Sequence, residues 1–204
     1  MARRVSWLVI AMVSTVVLST VAHAASIVLP RPGQVGIGMQ GQYGTLLKAG
    51  DLGEHFESGP GLAVRLRYRM RYERAIGLSF ESHQMDSRVG AELVDSLSNP
   101  PARATQLSMI MTGFEVYQLF DTRSRTTKML SVGAGLVQPS VKLETDETTY
   151  PDDGLFVSAG AGIERFFYRS FAFDLSARYY AIFQHGKTNH DVQAALGLIF
   201  YASY

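Results

Sequence analysis

From Val192 onward the chain alternates, with Val192, Ala194, Leu196, Leu198, Phe200, Ala202 and Tyr204 at every second position and Gln193, Ala195, Gly197, Ile199, Tyr201 and Ser203 between them. A period of two marks a β-strand with two unlike faces. The run is longer than an ordinary soluble strand and matches the roughly 9 to 11 residues of a tilted membrane-crossing strand.

Seven earlier runs repeat the pattern. In the first, Val35, Ile37, Met39, Gly41 and Tyr43 alternate with Gly36, Gly38, Gln40 and Gln42. The second sets Leu62, Val64, Leu66, Tyr68 and Met70 against Ala63, Arg65, Arg67 and Arg69, and the third sets Ile76, Leu78 and Phe80 against Gly77, Ser79, Glu81 and His83. The fourth, Gln106 to Phe120, opens with Leu107, Met109 and Met111 as its apolar row but continues with Phe114 and Val116 in the other phase. A β-bulge near Thr112-Gly113 would reconcile the two halves and turn Glu115 inward. Leu130 to Leu136 alternates with Ser131, Gly133 and Gly135. In the sixth run Leu155 to Ile163 alternates with Phe156, Ser158, Gly160, Gly162 and Glu164, and in the seventh Phe171 to Tyr179 alternates with Ala172, Asp174, Ser176, Arg178 and Tyr180.

The connections alternate too. Residues 45–59, 85–104, 138–154 and 184–191 read as long polar loops, whereas those around Arg71–Arg74, Asp121–Thr127 and Tyr168–Ser170 are shorter. This asymmetry predicts an all-β fold: an eight-stranded antiparallel up-and-down transmembrane β-barrel with both termini at the short-turn end. Tyr68, Tyr117, Phe120, Phe171, Phe173, Phe200 and Tyr204 would form an aromatic girdle at that rim, with Tyr43, Tyr179 and Phe183 toward the other.

Composition sharpens this reading. Arg3 and Arg4, an apolar run from Trp7 to Leu18 and Ala22-His23-Ala24 predict a cleavable signal peptide over 1–24, leaving a barrel domain of 25–204. Without Arg3 and Arg4, 17 basic residues face 18 acidic ones, a balance with no nucleic-acid footprint. Cysteine is absent, so disulfides, thiol chemistry and a lipid-bearing cysteine are excluded. A soluble barrel or sandwich is the competing fold. Against it, glycine and serine recur on the non-apolar face, where a solvated strand would be weakened by them and a narrow lumen needs small residues between large ones.

Several segments carry a family resemblance: SVGAGL at 131–136, VSAGAGIE at 157–164, LSARYY at 175–180, and a last strand ending on an aromatic residue. The chain resembles the small eight-stranded outer-membrane β-barrels of Gram-negative bacteria, of OmpA-like and OmpX-like type. The resemblance implies residence in the outer membrane as a monomer, among outer-membrane lipid and lipopolysaccharide. It also implies recognition by the barrel-assembly machinery at Phe200 and Tyr204, although Ala202 stands where another aromatic is common. Unlike OmpA, the chain is expected to end with the barrel, without a peptidoglycan-binding domain.

The candidate site is the inward face, where Arg65, Arg67, Arg69, Glu81, His83, Glu115, Glu164, Asp174 and Arg178 would meet. A hairpin centred on Glu73 places Arg65 across from Glu81 and Ala63 across from His83. Charges withdrawn from water need partners, so these residues are expected to form a balanced network that plugs the lumen. Catalysis has little support: Ser82 and His83 point to opposite faces, and His185, His190 and Asp191 form no ligand set or triad. Glu144, Asp146, Glu147, Asp152 and Asp153 lack calcium-loop spacing, and Gly186-Lys187-Thr188 lacks the rest of a phosphate loop. The expectation is therefore a structural or surface-interaction protein of the envelope without catalytic residues, metal or cofactor, its long loops carrying any extracellular ligand. Narrow transport of small or apolar solutes is the alternative, and lipid A modification ranks lower still.

Overall fold

The computed structural model describes residues 27–88, 94–95, 102–145, 147–184 and 186–202. The expected signal peptide, Asn99-Pro100-Pro101, Asp146, His185 and Tyr204 lie outside the described residues.

The elements in order are β1 (Val35–Leu46), a one-turn helix (Asp51–His55), β2 (Ser58–Arg71), β3 (Arg74–Asp86), β4 (Val94–Asp95), β5 (Ala102–Phe120), β6 (Thr126–Leu143), β7 (Thr148–Thr149), β8 (Gly154–Tyr168), β9 (Phe171–Gln184) and β10 (Lys187–Tyr201). Eight long antiparallel strands, β1, β2, β3, β5, β6, β8, β9 and β10, each pair with their neighbours, and β1 pairs with β10 from Gly36↔Tyr201 to Leu46↔Asp191. The sheet is thus closed, which leaves no edge among these strands. The short strands β4 and β7 lie against the far ends of β5 and β6.

The distribution of side chains is the reverse of a soluble domain. Ile37 and Met39 are 53% and 61% exposed, while Arg67 and Arg69 are wholly buried. Charged residues therefore lie inside the lumen and most apolar residues of the strands face outward, as a barrel whose solvent is hydrocarbon requires. Tyr68, Phe120, Phe171, Phe173 and Phe200 stand outward toward the turn end and Tyr43, Tyr179 and Phe183 toward the other, as the aromatic-girdle reading expects.

Four expectations need correction. First, β5 has no bulge at Thr112-Gly113: its pairing with β3 runs unbroken from Arg74↔Gln118 to Asp86↔Gln106. Leu107, Met109 and Met111 consequently point into the lumen together with Glu115, and Ile110, Thr112, Phe114 and Val116 face outward. The lumen accepts this because its far half is apolar. Second, Tyr117 shares the Glu115 row and is buried inside rather than standing in the girdle.

Third, the β2–β3 turn is Tyr72-Glu73, and an irregularity between Arg69 and Arg71 shifts the register again. Arg65 therefore sits across from Ser79, Ala63 from Glu81 and Gly61 from His83. Fourth, the loops are shorter than expected: β6 continues to Leu143 with Val137, Val141 and Leu143 inward, and β10 begins at Lys187 after a tight turn from Gln184. Length alternation thus fails for the last connection, while β5 and β6 form a tall hairpin of 19 and 18 residues.

Candidate functional site: the lumen

The lumen is built in layers. Its floor is the leader before β1, where the Val28 amide donates to the Arg169 carbonyl at 3.0 Å and the Gly33 amide to the Arg69 carbonyl at 2.7 Å. Ile27 and Leu29 pack upward on Phe166, Ala172, Ile199 and Tyr201. Two turn residues adopt positive φ without being glycine, Asp121 at 56° and Arg169 at 43°.

Above the floor, alternation along β2 aims Arg65, Arg67 and Arg69 inward at three successive heights. Arg67 pairs with Glu164 and, at 3.2 Å, with Asp174, while Arg69 reaches the other Glu164 oxygen at 2.8 Å. The Tyr201 hydroxyl donates to Glu164 at 2.8 Å. Glu164 and Asp174 are directly cross-strand, a like-charge placement that the two guanidinium groups offset. Arg67 also lies 4.3 Å from the Tyr117 ring centroid and Arg69 5.1 Å from that of Tyr201, so cation–π contacts complete the layer.

The middle layer joins Arg178 to Glu115, which also accepts the Tyr117 hydroxyl proton. Arg65 bridges upward, with its Nε 3.7 Å from Glu115 and its terminal nitrogen 2.8 Å from Glu81. Glu81 in turn accepts from Tyr180 at 3.1 Å and from Gln42 at 3.3 Å. His83 meets the same Gln42 at 2.6 Å. All nine sequence-derived lumen residues therefore lie in one connected inward column, but Arg65 reaches Glu81 diagonally rather than directly across.

Glycine makes this column fit. A methyl group at Gly160 would stand 2.7 Å from the Arg178 side chain, and one at Gly133 would stand 3.2 Å from that of Glu115. The wall beside Arg178 and Glu115 is bare backbone, as a narrow lumen demands.

Beyond Glu81 the character changes. Leu46, Phe56, Met85, Leu107, Met109, Met111, Val137, Phe156 and Ile182 form one buried cluster, bordered by Tyr180. Sequence reasoning missed this apolar half because it assigned every apolar row to the outside. It also missed Tyr180, Tyr201 and Gln42 as partners, although all three fall on inward rows by period alone.

Ser82 faces outward while His83 is turned into the lumen. Among the described residues no group of three or more His, Asp or Glu side chains is placed to hold a metal ion. Among these residues, too, no helix is long and apolar enough to cross a membrane, which says nothing about crossing by strands.

A closed eight-stranded barrel with an apolar exterior and a charged interior defines the class of outer-membrane β-barrels. The chain belongs to the outer membrane protein beta-barrel domain family, whose model matches residues 10–200. Membership implies residence in the outer membrane.

Among solved structures, the chain is similar to the Neisserial surface protein A, at 14% identity and TM-score 0.60, covering 81% of this chain and 96% of that one. It is also similar to outer membrane protein OprG of Pseudomonas aeruginosa, at 10% identity and TM-score 0.56, covering 85% and 99%. The attachment invasion locus protein Ail of Yersinia pestis matches at 13% identity and TM-score 0.52, covering 83% and 99%. At such identities the likeness establishes the fold alone. No curated protein matches the chain in sequence.

Proposed function

We propose that this barrel is a structural or surface-interaction component of the Gram-negative envelope, with its lumen closed by the charged column and with no catalytic chemistry. The observation that carries the reading is the chain of contacts from Arg69 through Glu164, Arg67, Tyr117, Glu115 and Arg65 to Glu81, all buried. Opening a path would separate ion pairs in a low-dielectric interior, which costs several kcal/mol for each charge left alone.

The connections at the far rim, lying furthest from the termini, then carry any extracellular specificity. Structures of Ail include a complex with the heparin analogue sucrose octasulfate, which illustrates that a barrel of this fold binds a ligand. Outer-membrane lipid and lipopolysaccharide surround the barrel, Phe200 and Tyr204 serve the assembly machinery, the termini lie in the periplasm, and the protein acts as a monomer. Deleting residues 48–50 and, separately, shortening the other far-rim connections should abolish a surface-binding phenotype in at least one case while the barrel still assembles. Retained binding in each loop deletion would contradict the reading.

One observation favours a second function. The apolar far half of the lumen would suit a small apolar solute, leaving sideways because the charged column blocks the axis. Under that reading Arg67→Ala has little effect on uptake, and polar substitutions at Met109 or Met111 abolish it.

A further inference from the structure

The turn end of the barrel carries a cleft that the lumen does not account for. It has a volume of about 560 Å³ and is lined by the leader from Ile27 to Arg31, by Tyr72 of the β2–β3 turn, and by Thr122 and Arg123 of the β5–β6 turn. Two guanidinium groups and two hydroxyls therefore share a wall with the apolar side chains of the leader. No carboxylate residue lines the cleft among the described residues.

The cleft is built from fixed parts. The Arg31 amide donates to the Gln34 side chain at 2.8 Å, which closes a turn through Gly33 at φ 90°. The Leu119 amide donates to the Glu73 carbonyl at 2.8 Å and ties the two β-turns together. The Ser124 amide donates to the Asp121 carbonyl at 2.9 Å and shapes the second turn.

Its surroundings are cationic. Arg71, Arg74 and Arg125 stand exposed on or beside the same two turns, against Glu73 and Asp121, and Lys128 engages Asp121 at 2.9 Å. The opposite rim is mixed, with Glu144, Glu147, Asp152 and Asp153 exposed beside Lys48, Arg103, Lys142 and Lys187.

We propose that this cleft binds the headgroup of an anionic phospholipid from the leaflet at the turn end. Arg31 and Arg123 would hold the phosphate, Tyr72 and Thr122 would donate to its oxygens, and Val28, the exposed apolar side chain of the leader, would meet the start of the acyl chains. Arginine's planar donor fork suits phosphate. The missing carboxylate explains the anionic preference, because nothing in the wall would receive the ammonium of a zwitterionic lipid. The inference rests on the periplasmic placement of the termini only for naming the leaflet.

The test is native mass spectrometry of the full-length barrel in detergent, titrated with phosphatidylglycerol or phosphatidylcholine, for the wild type and for Arg31→Gln/Arg123→Gln. Phosphatidylglycerol should bind the wild type about tenfold more tightly than phosphatidylcholine, and the double variant should lose that preference. Both arginines are exposed and lie outside the strands, and a heat-dependent gel shift confirms folding. Arg123→Gln alone should give an intermediate loss. An unchanged preference in the double variant would overturn the proposal, as would equal displacement of the lipid by millimolar inorganic phosphate. Since binding is read on isolated protein, its failure is separate from a wrong orientation, which cysteine labelling at Arg125→Cys in whole cells reports.

Discussion

Glu164 is the residue on which the charged column depends most. It is wholly buried and meets Arg67, Arg69 and the Tyr201 hydroxyl, so Glu164→Ala leaves Arg69 without the carboxylate that stands 2.8 Å away. Arg67 keeps Asp174 at 3.2 Å, which limits the damage to one guanidinium rather than two. Breaking a buried pair by removing one partner costs about 3 to 5 kcal/mol. With a urea slope of about 2 kcal/mol/M, a loss of about 4 kcal/mol lowers the unfolding midpoint by about 2 M. Glu164→Gln keeps an acceptor for Tyr201 and should lose about half as much. The assay is urea unfolding of the barrel refolded in lipid vesicles, with the folded fraction read from mobility on unheated gels. A Glu164→Ala midpoint within about 0.5 M of the wild type would refute the claim that the column is an interlocked ionic network.

Three further outcomes can be measured. Gly135→Ala should lower stability by about 1 to 3 kcal/mol, because its methyl group would collide with the Thr112 carbonyl of the neighbouring strand; the urea midpoint reports it. In the folded barrel the fluorescence of Thr112→Trp should be quenched by lipids with brominated acyl chains while that of Met111→Trp is spared, and the opposite pattern would restore the bulge in β5. Tyr204→Ala should reduce the yield of folded barrel in cells, and unimpaired assembly would count against a role in the assembly signal.

Most of the barrel was legible because most inward rows differ in kind from the outward ones. In β1 and β3, glycine and polar residues inside alternate with mostly large apolar residues outside, so period and phase are read together. In β5 both rows are apolar near Met109 and Met111, and a period of two alone does not say which row faces lipid. Glu115 held the answer: carried back unbroken, its phase puts Gly113, Met111, Met109 and Leu107 inside.

The column's membership was legible from inward polar residues, but its pairing was not. Arg67–Glu164, Arg67–Asp174 and Arg178–Glu115 span the lumen between strands distant in sequence, and only closure of β1 on β10 brings them together. The hairpin register slipped because the turn is Tyr72-Glu73 and the pairing shifts beside Met70, neither of which alternation records. Gln138 to Leu143 read as loop through its polar residues and Pro139, although Val137, Val141 and Leu143 continue the inward row.

The central claim is that the column closes the barrel along its axis, and ion conductance tests it most directly. Purified protein reconstituted in planar bilayers should show no stable single-channel step, whereas Glu164→Ala, with its ion pairs broken, should show intermittent openings. A large, stable conductance from the wild-type barrel would contradict the account.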